Sequence, residues 1–216
     1  MTATPTDALL VQAALPKDGR AVLPRLLGQL QMALQDTPLR DVSVQVHAAF
    51  NDARDLLYVY LHLNECMPME PSVAARVEAI VKSGWPELRN LRVSRLEKML
   101  DKRGASASTP AVFHYVVEMD PETGWMPELS DWYDTEHMPG LAAVPGCVRA
   151  SRYLNHDHGP LSLACYDLVT QDTLGSPPWL AIRETDWSSR MRPRFTNTIR
   201  TMFDLLANSN TPTKLI

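Results

Sequence analysis

The chain has 216 residues, 45% of them hydrophobic and 21% charged, with a formal net charge of −4. That length suits one large domain or two small ones and leaves enough apolar surface for a core, which excludes disordered, collagen-like and small disulfide-stapled chains. No excess of Lys and Arg exists to neutralise a run of phosphates, so nucleic acid is not an expected partner. The cysteines, Cys66, Cys147 and Cys165, are odd in number, far apart and without CxxC spacing, and Met1 to Asp7 has no leader-like basic region. Reduced thiols in a cytoplasmic protein are therefore expected. No run reaches the ~18 apolar residues of a membrane span, so no membrane association is expected.

In chain order, Val11 to Leu15 is a short β-rich run, followed by Val22, Leu23, Leu26, Leu27, Leu30 and Leu34 at the spacing of an amphipathic helix. Val42, Val44 and Val46 then alternate with polar residues, as do Leu57, Val59, Leu61 and Leu63, which predicts two strands joined by a turn at Asn51-Asp52. A second helix is predicted over Pro71 to Ser83 and a last strand over Leu91 to Leu100. The same series recurs: strand Val112 to Met119, helix from about Pro127 to Met138, a turn at Asp157-His158-Gly159, helix Ser176 to Trp187 and strand Arg194 to Leu206.

An offset of 102 carries one series onto the other, setting Leu27 on Leu129, Leu39 on Leu141, Ala48 on Ala150, Leu61 on Leu163 and Trp85 on Trp187. The predicted fold class is α+β, two ferredoxin-like βαββαβ repeats packing sheet to sheet as a barrel with a cavity between the sheets. Residues 1–104 form the first repeat, 105–109 a linker within the Gly104 to Pro110 stretch, and 110–216 the second repeat with the candidate site. Charge differs mildly between halves, +1 over residues 1–108 and −5 over the remainder, as solvated surface would.

Candidate chemistry concentrates in the second repeat. Pro139-Gly140 predicts that a helix stops near His137, whose imidazolium the helix C-terminus would favour, with Tyr133 and Asp134 on the same side. The positions matching His137 and His114 in the first repeat are Gln35 and Gln12, which cannot titrate near neutrality. His137, Asp134 and His114 are therefore the candidate catalytic residues. Tyr115, Tyr166, Arg149 and Arg152 are candidates for holding a substrate and its anionic group. His47 and His62, beside Tyr58 and Tyr60 on polar strand faces, are further lining candidates, with solvent exposure or an interface as the plainer reading. Trp132, Trp179 and Trp187 read as core. No metal site is expected: His156-Asp157-His158 cannot all point inward, and no further ligand follows at suitable spacing. Motifs for nucleotide binding, serine hydrolysis and zincin chemistry are missing, so no cofactor is expected.

The run Tyr133, His137, Pro139, Leu141, Pro145 and Gly146, with Arg149, Arg152 and Tyr153 after it, resembles the EthD-like members of the dimeric α+β-barrel superfamily. The likeness implies two barrel modules fused in one chain, and leaves homodimerisation of that chain open. It also implies a function from a list: cofactor-independent monooxygenases, muconolactone-type isomerases, cyclases, aldoxime dehydratases or haem enzymes. The expected function is a cofactor-independent acid/base enzyme, of lyase, isomerase or oxygenase type, acting on a small hydrophobic ring or carbonyl compound. The alternatives are a non-catalytic binding or accessory protein, and a haem-dependent enzyme with His114 or His137 on the iron.

Overall fold

The computed structural model describes residues 2–17, 19, 23–34, 37 and 39–206. Gln35, the matching position to His137, and the expected helix start at Val22 lie outside the described residues. The fold is mixed α+β, with eight strands among the described residues. The described residues divide into two compact units, one running up to Glu97 with 156–158 and 205–206, the other comprising 98–155 with 159–204.

The first unit holds β1 (Thr4–Ala14), α1 (Leu23–Leu34), β2 (Val44–Asn51), β3 (Leu56–Met69), α2 (Pro71–Gly84) and β4, which starts at Arg89 and runs to Arg103 across the division. Its strands pair antiparallel in the order β4-β1-β3-β2. β1 begins earlier than Val11 because Ala8, Leu9 and Leu10 are buried along with Val11, a continuous apolar run rather than an alternating one. Leu23, Leu26, Leu30 and Leu34 make one stripe of α1 that is wholly buried, and it joins Ala74, Val77 and Val81 of α2 over the sheet. Each such leucine contributes about 1.5–3 kcal/mol of burial. Pro71 starts α2, where its missing N–H costs nothing. At the β2–β3 turn the Asn51 side chain accepts from the Arg54 N–H.

The second unit holds β5 (Phe113–Pro121), α3 (Met126–Trp132), α4 (Met138–Ala142), β6 (Cys147–Asn155), β7 (Ser162–Leu168), α5 (Pro177–Arg183), α6 (Asp186–Met191) and β8 (Phe195–Leu205). Its order, β8-β5-β7-β6, is again antiparallel. The single helix expected over Ser176 to Trp187 is two, because Thr185 caps α6 by accepting from the Ser188 N–H. The Gly104 to Pro110 stretch is tied down: Gly104, Ala105 and Ser106 donate to the carbonyls of Val148, Ala142 and Cys147. Gly146 has φ +94°, and a Cβ there would run into the Thr173 side chain.

One expectation is overturned here. The helix through His137 does not end at Pro139; it continues as α4 to Ala142. Between α3 and α4, Tyr133–His137 form a π turn in which the Met138 N–H donates to the Tyr133 carbonyl five residues back. The wider turn carries the chain past Pro139, which sits in the first turn of α4. Among the described residues no helix is long and apolar enough to cross a membrane.

Candidate functional site

The two faces of the second unit's sheet differ. Along β5, His114, Val116 and Glu118 point one way, Tyr115 and Val117 the other. The register sets Tyr115 opposite Tyr166 of β7 and Val117 opposite Arg200 of β8, so these four share the helix-covered face. There they line a pocket with about 430 Å³ of empty space, counting its open mouth. Trp132, Tyr133, His137 and Leu141 close it from the α3–π–α4 segment. Trp179 and Arg183 come from α5, and Arg192 and Phe195 from the approach to β8. This pocket therefore lies between sheet and helices, on the face of the sheet opposite His114.

The π turn makes the pocket's inner wall. At about 100° per residue, side chains five apart on an α-helix diverge by about 140°. In the π turn they converge, and the rings of Trp132 and His137 stack with centroids 4.1 Å apart and planes at 24°. Tyr133 meets His137 edge-on at 5.7 Å. Glu136 is anchored by the hydroxyl of Thr185, which donates to its Oε1 at 2.7 Å.

His137 is 9% exposed, and its Nδ1 is buried without a partner among the described residues. Nε2 is the nitrogen left to the pocket. Burial, followed by the positive charges of Arg183 and Arg192, pushes its pKa down to about 3. The favoured imidazolium expected of a helix end is not found, because the side chain is buried and the helix continues past it. His137 is a neutral imidazole at pH 7. Burial also raises the pKa of all three pocket phenols, Tyr115, Tyr133 and Tyr166, which stay protonated. Tyr166 donates its hydroxyl to the sulfur of Met138 at 3.0 Å.

Among the described residues no carboxylate lines the pocket, whereas three arginines do. Arg190, Arg194, Arg149 and Arg152 are paired with Glu128, Glu122, Asp101 and Asp134. Among the described residues Arg183 and Arg192 have no carboxylate partner. Arg192 donates instead to the Arg183 carbonyl at 3.5 Å. The result is an aromatic pocket with a cationic rim and one neutral imidazole.

Of the residues singled out from the sequence, His137, Tyr115 and Tyr166 line this pocket. Asp134 turns away and bonds Arg152 at 3.2 Å, so it does not orient His137. Arg152 is fully buried behind Tyr133, its guanidinium 5.4 Å from that ring. Arg149 makes a two-pronged pair with Asp101 on the surface, at 2.7 and 2.6 Å. His114 is buried on the other face, where its Nδ1 bonds Asp167 at 2.7 Å. His47 and His62 belong to the first unit, in a ring cluster with Tyr60. In the His156 to His158 turn, Asp157 is gripped by Arg95 at 2.8 Å and His156 lies 3.1 Å from Glu97. The sequence reading missed Arg183, Arg192 and Arg200, and took Trp132 and Trp179 only as core. Both tryptophans are buried and also form pocket wall.

No family model matches the chain, and no curated protein sequence does. Solved structures do match along nearly its whole length. A candidate monooxygenase from Fusobacterium nucleatum subsp. nucleatum is 10% identical over 99% of both chains, with a TM-score of 0.64. An anthrone oxidase-like protein is 9% identical, covering 95% of this chain and 94% of its own, at 0.61. A mutant chlorite dismutase from Candidatus Nitrospira defluvii is 9% identical, covering 95% and 93%, at 0.58. What is shared at such identities is the fold alone, which these neighbours carry as members of the dimeric α+β-barrel superfamily.

Proposed function

We propose that the chain is a tandem, EthD-like member of this superfamily, and a cofactor-independent enzyme that removes a proton from a small aromatic or enolisable carbonyl compound. The observation that carries the reading is a neutral His137, its Nδ1 without a partner among the described residues, in an aromatic pocket lined by three guanidinium groups. Two ferredoxin-like repeats are supported by the shared strand order of the units. The 102 offset supports them too, carrying α1 onto residues 125–136, against 126–137 for α3 plus the π turn.

The ligand's ring lies among Tyr115, Tyr166 and Trp179. Its acidic O–H or C–H gives a proton to His137 Nε2, and the electron pair stays on the ligand as phenolate or enolate. That anion forms beside Arg183, Arg192 and Arg200, whose charges stabilise it before any solvent must reorganise. It also offsets the positive charge that depresses His137, so proton transfer and anion formation favour each other. The phenols, being protonated, donate hydrogen bonds and do not act as bases. From the enolate, return of the proton at another carbon is an isomerisation. Reaction with O₂ converts a CH₂ to C=O, one oxygen entering the product and the other leaving as water, with the substrate supplying all the electrons. The monooxygenase and anthrone oxidase-like neighbours favour this oxygenase branch.

Anthrone, whose CH₂ is acidic and flanked by two rings, tests the proposal in an oxygen electrode with the absorption spectrum recorded. The expected result is matched loss of anthrone and O₂, falling by about 10²–10⁴-fold in His137→Gln. Equal turnover in the variant removes His137 from the chemistry. Binding without consumption in either protein makes the chain a binding module. A Soret band in the purified protein overturns the cofactor-free reading.

A further inference from the structure

We infer that the ligand is an aromatic carboxylate, its ring among the buried tryptophan and tyrosine side chains and its carboxylate held in the fork of Arg183 and Arg192, with Arg200 alongside. The inference rests on the pocket being the substrate site and adds a permanent anion to what that site must accept. Three observations converge on it. First, the pocket is divided chemically. Trp132, Trp179, Tyr133 and Tyr166 are at most 2% exposed, while Arg192 and Arg200 reach solvent and Arg183 is half-buried between. An apolar body with one charged end matches that division.

Second, this cationic group stands in an acidic half of the chain, which carries 8 basic and 13 acidic residues from 109 onward. The four other arginines of the second unit described above have each found a carboxylate, but Arg183 and Arg192 have none among the described residues. Placing like charges this close is unfavourable on its own: Arg192 is held below its ordinary pKa by burial and then by Arg183 and Arg200. A planar carboxylate relieves that repulsion, and guanidinium groups bind one through paired, charge-assisted hydrogen bonds. Third, the same arginines act on His137. A carboxylate seated between them cancels part of the positive charge that depresses the imidazole, bringing the base nearer the working pH when substrate is bound. Anchor and base are thereby coupled through one charge cluster.

The test uses two probes with one ring system, 2-naphthoate and 2-naphthylmethanol, titrated calorimetrically into the full chain. Naphthoate is expected to bind about tenfold tighter or more, about 1.4 kcal/mol per tenfold, with the margin shrinking as salt is added. In Arg183→Gln/Arg192→Gln the margin should collapse to near parity while the alcohol binds as before. A thermal melt matching the wild type confirms that the variant is folded. Equal affinities in the wild type, or a margin that survives in the variant, overturn the inference. If anthrone turnover nonetheless depends on His137, the proton-transfer reading stands without the carboxylate. If neither probe binds and anthrone is not consumed, both readings fall.

Discussion

The neutral state of His137 has a consequence for stability that can be measured without knowing the substrate. In the unfolded chain an imidazole titrates at 6.5, whereas in the fold His137 titrates at about 3. Between those values the unfolded state binds a proton that the folded state refuses, so stability drops as pH falls through this window and is recovered above it. At pH 5 the unfolded chain is about 1.5 pH units below its His pKa, and at about 1.36 kcal/mol per unit His137 alone removes about 2 kcal/mol relative to pH 7. Any folded pKa below about 4 gives the same figure at pH 5. The perturbation is His137→Gln, which removes the titration while keeping a side chain of comparable reach. Urea denaturation of both proteins at pH 7, 6 and 5 yields the difference of differences, in which the other histidines cancel. The wild type should lose about 2 kcal/mol more than the variant between pH 7 and 5. Parallel profiles, agreeing to about 0.5 kcal/mol, refute the argument that this imidazole is buried neutral beside uncompensated guanidinium groups.

Other substitutions test other parts of the structure. Arg152→Met should leave 2-naphthoate affinity unchanged in the calorimeter, and urea midpoints should show stability held or raised by about 1–4 kcal/mol. The buried guanidinium has two nitrogens without partners, and an apolar side chain of similar length removes that cost. Arg149→Gln should alter neither ligand affinity nor turnover, and its half-exposed pair with Asp101 should contribute at most about 1 kcal/mol in a double-mutant cycle. Gly146→Ala should cost about 2 kcal/mol or more, lowering the melting temperature by about 4–8 °C, since it forces a Cβ into a left-handed backbone against Thr173. An unchanged melting temperature there would mean that the 146–173 contact is looser than described.

The elements were largely legible in the sequence because their apolar spacing is local. The alternation around Val44 and Leu57 and the leucine stripe of α1 fix strand and helix without reference to anything distant. His137, Tyr115 and Tyr166 were identified for related reasons, a motif on one helix and aromatic residues on predicted strands. What the sequence hid was register. Arg200 reaches the pocket because it pairs with Val117, more than 80 residues earlier, and Arg183 and Arg192 line it from either side of α6, which the apolar spacing had merged with α5. A one-residue change of strand face separates His114 from Tyr115, and nothing local says which face the helices cover. Asp134 was lost to a competitor, the buried Arg152, that no spacing along one helix could show.

The π turn at Tyr133–His137 also sets how this segment tolerates length changes. It holds one residue more than an α-helical turn would, and that surplus lets Trp132 and His137 face each other. Deleting a single residue such as Thr135, whose hydroxyl only back-bonds to the Asp131 carbonyl, lets the segment rewind as continuous α-helix. Everything before the deletion then rotates by about 100° relative to everything after it. A point substitution can empty the pocket of one group. This deletion would dismantle the wall as a unit, so Tyr133 and His137 are bound to stay or leave together.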